Sequence, residues 1–160
     1  QDPRTGEILE THINWYHNVM KLLRDWYFVQ ASSIDEGARK MKFDDELMGQ
    51  LIRFVSSHEV GHTLGLIHNF AGSGNGRSTV MDYPHPQVDL RDGNISLDKA
   101  YREGLGEWDN YAIAYGYGDY NAQQLAGLVR AARAGGQGQR LVKRLVEHAT
   151  VGQLSQRVVL

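Results

Sequence analysis

At 160 residues, with 41% hydrophobic and 22% charged side chains, the chain has the size and composition of one globular domain with a real core. A formal net charge of −2 excludes the basic footprint of a nucleic-acid binder, and no apolar run approaches the ~20 residues that span a bilayer. The absence of cysteine excludes disulfides and thiolate metal ligands; the start at Gln1, without methionine or signal peptide, reads as a processed or excised piece of something longer.

Residues 2–6, DPRTG, read as a turn. EILETHI at 7–13 alternates in character and is expected to form a strand, at a sheet edge. From Trp15 to about Ala31 the period becomes helical: Tyr16, Met20, Leu23 and Tyr27 share a face, with Val19, Leu22 and Trp26 beside them as a wide core-packing stripe. SSIDEGARKMK is a polar connector with room for a turn of helix. A second helix is expected over roughly 44–64, capped by Asp44 or Asp45. Along it Leu47, Leu51, Phe54, Val55, His58 and His62 recur at spacings of three and four, so the face that packs on the core continues into two histidines.

Those histidines open HEVGHTLGLIH, residues 58–68. Positions i and i+4 of a helix face the same way, so His58 and His62 can address one ion. Glu59 is placed to reach a water beside them. Gly65 can end the helix in a left-handed conformation and turn the chain so that His68 arrives as a third nitrogen. Three protein ligands with a fourth position open is the arrangement of catalytic rather than structural zinc.

Further on, NFAGSGNGRS reads as a surface loop, TVMDYPHP as a tight turn, and VDLRDGNIS as another loop with Ser96 capping a short helix through Tyr101. Asp89, Asp92 and Asn94 in that loop are a candidate calcium site, set against the simpler reading of a solvated loop. GEWDNYAIAYGYG, 106–118, places Trp108, Tyr111, Ala112 and Tyr115 at helical spacing, and residues beyond 119 suggest two amphipathic helices joined by a GGQG hinge. His12, His17, His85 and His148 read as surface or packing histidines; His85 alone lies near enough for a substrate contact. Asp82 is a candidate partner for a ligand imidazole.

The match of residues 58–68 to HExxHxxGxxH, followed by the methionine of STVMDY at 78–83, resembles the metzincin clan of zinc metallopeptidases. DPRTGEILETHINWY and FVSSHEVGHTLGLIHNF are also similar to large bacterial secreted zinc metalloproteases, and GEWDNYAIAYGYG to the helix that closes a metzincin catalytic domain. The resemblance implies an α+β domain over residues 1–118, mostly helical here with a small and incomplete sheet, and a helical C-terminal extension over 119–160. It implies one catalytic zinc on His58, His62 and His68, Glu59 as general base, and Met81 beneath the imidazoles. Tyr83 would be a switchable ligand or a hydrogen-bond donor to the transition state; an ordinary tyrosine satisfying one hydrogen bond is the alternative. The implied activity is endopeptidase cleavage of peptide or protein substrates, with the 7–13 strand pairing with substrate and Tyr83 and Pro84 walling its side-chain pocket, in a secreted or periplasmic setting. The alternatives are a non-catalytic zinc-stabilised binding module and a zinc amidase acting on cell-wall material.

Overall fold

The computed structural model describes residues 2–83, 86–98, 100, 101 and 103–134. Four helices and one antiparallel hairpin make it α+β: α1 (His17–Ala31), α2 (Asp45–Thr63), β1 (Asp89–Arg91), β2 (Asn94–Ser96), α3 (Glu107–Tyr117) and α4 (Ala122–Ala134). No described helix is long and apolar enough to cross a membrane.

Helix α1 buries a narrower stripe than its periodicity suggests. Leu23, Tyr27 and Ala31 are buried, whereas Met20, Leu22 and Trp26 remain about 40% exposed. A 3-10 turn at Gly37–Arg39 bridges to α2. There Asp44 is the cap, its carboxylate accepting the Leu47 N–H at 2.9 Å, and Asp45 and Glu46 place negative charge at the positive end of the helix dipole. Leu51 and Phe54 of α2 meet α1, and Phe43, Val80, Met81, Ala100, Tyr101 and Trp108 complete one core. Its aromatic centre joins Tyr27 edge-on to Phe43 at 5.8 Å and links Tyr101 to both Tyr27 and Phe54.

Three expectations need correction. Residues 7–13 carry no strand; Leu9 and Ile13 are exposed, and without a partner strand an alternating segment has no ladder to join. The VDLRDGNIS stretch is a hairpin, in which Asp92 (φ 53°) and Gly93 (φ 79°) form the two-residue turn that right-twisted strands favour, with Leu90 opposite Ile95. Ser96 ends β2 and accepts the Asp98 N–H at 3.4 Å in a turn; no described residue between it and Tyr101 is helical. Asp89 pairs across from Ser96 and Asp92 sits in the turn, so these two residues of the candidate calcium loop stand at opposite ends of the hairpin, with Asn94 paired to Arg91.

Helix α3 stops at Gly118 as expected. Helix α4 packs on α3 and starts with a reciprocal cap: Asn121 accepts the Gln124 N–H at 2.9 Å and Gln124 accepts the Asn121 N–H at 3.0 Å. The GGQG hinge, the second helix of the tail, His148, Pro84 and His85 lie outside the described residues.

Candidate metal centre

Helix α2 delivers His58 buried, Glu59 half-buried and His62 half-buried, and the chain then reverses. The reversal is a Schellman turn: the Leu66 N–H donates to the Gly61 carbonyl at 3.0 Å and the Gly65 N–H to the His62 carbonyl at 2.9 Å, with Gly65 at φ 90°. Leu66 tucks against the core, and His68 comes back over the helix.

The three imidazoles converge edge-first. Their Nε2 atoms form a near-equilateral triangle with sides of 3.1, 3.1 and 3.3 Å. Two of the tautomers follow from the opposite ring edges. His58 Nδ1 lies 2.7 Å from the Val80 carbonyl and His62 Nδ1 2.8 Å from the Leu66 carbonyl; a carbonyl only accepts, so both Nδ1 atoms carry the proton and donate. Both Nε2 atoms are therefore lone-pair donors aimed at one point. Neutral nitrogens held this close repel unless a cation lies between them. Tetrahedral zinc with Zn–N of about 2.05 Å requires N···N separations of about 3.3 Å, which the triangle meets. Among the described residues, these three histidines are the one grouping whose ligand atoms come together in this way. The donor set fits zinc: all-imidazole, with one side open because His68 is exposed.

Burial holds the His58 imidazolium to lower pH than the ordinary 6.5, against the opposing pull of its bond to Val80, so the ring is kept in the neutral form that ligation needs.

Beneath the imidazoles runs the Ser78–Asp82 turn. Met81 is fully buried, and its sulfur occupies the space that a Cβ on Gly61 would need, so this methionine packs directly on the bare backbone of the histidine-bearing helix. The turn holds two of the histidines. The Val80 carbonyl accepts a hydrogen bond from His58 Nδ1–H, and the Met81 carbonyl accepts the Asn69 N–H at 2.7 Å, fixing the residue after His68. Asp82 does not take the place of that carbonyl: its carboxylate accepts from the Ser73 N–H and hydroxyl and from the Tyr83 N–H, bracing the loop after His68.

Tyr83 lies at the mouth, 56% exposed, with its ring 5.0 Å from that of His68 and 5.3 Å from that of Phe70. The stretch 7–13 brings no strand to the site.

Three residues that sequence reasoning did not assign complete the frame. Asp109, with no exposed surface, accepts from Thr79, Val80 and Gly106. Thr79 in turn accepts the Met81 N–H at 2.9 Å. Tyr117, at the far end of α3, donates to the Leu64 carbonyl at 2.8 Å, so α3 braces both the methionine turn and the end of α2. An acidic residue three positions after a helix-starting glycine was the available signal for Asp109.

Neither a curated protein nor a solved structure matches the chain. The family model described as Met-zincin matches residues 40–134, which contain α2, all three histidines, the methionine turn, α3 and α4. That match spans more than half of the sequence and agrees with the zinc-compatible histidine cluster, so the chain belongs to the Met-zincin family.

Proposed function

We propose that the chain is a zinc-dependent endopeptidase, with His58, His62 and His68 holding the metal, Glu59 as general base and Tyr83 assisting at the mouth. The observation that carries this reading is the triangle of Nε2 atoms, 3.1–3.3 Å on a side, with a carboxylate one residue after its first member. Zinc held by three neutral imidazoles supplies Lewis acidity, acidifying water and polarising a carbonyl.

The protein's own groups then have separate tasks. Glu59 accepts a proton from the attacking water on its carboxylate and later returns it to the departing amine, so no free hydroxide or amide anion is released. Tyr83 stands beside His68 with its ring half in solvent, where its hydroxyl donates to charge developing on the carbonyl oxygen of a substrate. The exposed side of His68 leaves room for an extended chain to approach.

Glu59→Gln separates binding from catalysis. The variant should keep about one zinc per chain, because the ligands are untouched, while peptide hydrolysis drops by about 100-fold or more. Hydrolysis at the parent rate would overturn the proposal.

A second reading, a zinc-stabilised binding module without catalysis, draws on one observation: residues 7–13, expected to pair with substrate, form no strand. Under that reading chelation unfolds the protein and no member of a peptide library is cut once zinc is restored.

A further inference from the structure

One ligand imidazole is wired to a buried carboxylate 51 residues away, and the connection is continuous. His58 Nδ1–H donates to the Val80 carbonyl at 2.7 Å. That carbonyl and the Met81 N–H belong to the same peptide group, and the Met81 N–H donates to Thr79 Oγ1 at 2.9 Å. The Thr79 hydroxyl then donates to Asp109 Oδ1 at 2.5 Å. The other carboxylate oxygen, Oδ2, accepts the Val80 N–H at 2.8 Å and the Gly106 N–H at 2.7 Å. Every intermediate group both donates and accepts in the same direction, from imidazole to carboxylate.

We infer that Asp109 and Thr79 act together as positioning residues for the metal, fixing the tautomer of His58 and strengthening its Nε2 as a donor. The inference rests on His58 being a zinc ligand, as proposed above.

The physical reason is cooperativity. A carboxylate polarises the hydroxyl it accepts from, which makes Thr79 Oγ1 a better acceptor for the Met81 N–H. The peptide group, drained at its N–H end, presents a more negative Val80 oxygen to the imidazole proton. Such chains strengthen each bond by roughly 10–30%. A carboxylate in direct contact with a ligating histidine performs this task in many metal sites; here a peptide and a hydroxyl are interposed. The position of Asp109 in the first turn of α3 adds the favourable end of a helix dipole, and its complete burial removes competing water. Among the described residues, no comparable chain runs from His62 to a carboxylate: its Nδ1–H ends on the Leu66 carbonyl within the same turn.

Zinc affinity, measured by chelator competition on the full chain, tests this without reference to turnover. Thr79→Val preserves the Cγ2 methyl that lies against Gly72 but removes the hydroxyl, stranding the Met81 N–H and Asp109 Oδ1. It should weaken zinc binding by about 10- to 100-fold, whereas Thr79→Ser, which keeps the hydroxyl, should stay within about threefold of the parent. Asp109→Asn should weaken it by a similar factor and, in cobalt-loaded protein, shift the visible absorption bands, because the field at the metal changes. If Asp109→Asn does not fold, the Val and Ser pair at position 79 decides. Equal zinc affinity for parent, Thr79→Val and Thr79→Ser in folded protein would overturn the relay while leaving the metal site standing. A parent chain that binds no zinc would overturn both.

Discussion

At the scale of single residues, one glycine matters for the space it leaves rather than for any unusual backbone angle. Gly106 has φ −80°, open to any residue, but a Cβ there would overlap the Ser78 carbonyl oxygen. That carbonyl is backbone, accepts the Trp108 N–H at 3.0 Å, and cannot swing away without releasing the methionine turn. Gly106→Ala should therefore cost about 2–3 kcal/mol by overpacking and lower zinc affinity with it. Gly116 lies within α3, the helix that Gly106 caps, and a Cβ there would meet nothing within 4 Å, so Gly116→Ala should instead gain up to about 1 kcal/mol from helix propensity. Urea unfolding of the two variants measures both signs, and a neutral Gly106→Ala would mean that α3 does not clamp the turn. The histidines, Gly65 and Met81 are legible in the sequence because their chemistry is concentrated in a short stretch with one period. Asp109 and Thr79 are not, because their partnership spans 30 residues and neither type is unusual where it stands.

At the scale of elements, what the sequence makes legible follows how local each element is. Helix α2 is readable from Asp44 to its glycine stop because cap, period and terminator all act within a few residues. The cap can be checked directly. Asp44→Ala removes the acceptor of the Leu47 N–H and should cost about 1 kcal/mol, with Asp44→Asn restoring most of it; thermal melts of the pair would show it, and an unchanged Ala variant would mean the first turn is satisfied by solvent. The expected strand at 7–13 fails for the opposite reason, since a strand depends on a neighbour that alternation cannot supply. The hairpin escapes a reading by periodicity although Asp92-Gly93 is a strong turn signal, because the strands on either side are only three residues each and too short to show a period. The wide apolar face expected of α1 is only partly buried, which periodicity alone does not reveal.

At the scale of the whole molecule, two tyrosines hold the two halves of the core together. Tyr27 of α1 and Tyr101, which follows the hairpin, have tilted rings 6.0 Å apart, and Phe43 and Phe54 close around them. Burial is the first cause that raises the titration of both phenols above the ordinary 10.0; for Tyr27 the hydrogen bond its hydroxyl donates to Asp35, at 2.8 Å, raises it further, while Arg77 over the Tyr101 ring pulls the other way. Below pH 10 both phenols are protonated in folded and unfolded chains alike, so they impose no pH dependence there. Above pH 10 the unfolded chain releases protons that the folded chain retains, and stability must fall as pH rises. Each retained proton steepens the loss by up to about 1.4 kcal/mol per pH unit. Urea midpoints measured from pH 9 to pH 11.5 should therefore drop in the parent, with a shallower slope in Tyr101→Phe, which keeps the ring and removes the titration. Tyr27→Phe should flatten the slope too, but from a lower starting stability, because the Asp35 carboxylate then keeps, among the described residues, the Gly37 N–H alone as a donor. A parent slope unchanged in both variants would place the alkaline sensitivity elsewhere and would mean that these phenols do not carry the junction between α1 and the segment after the hairpin.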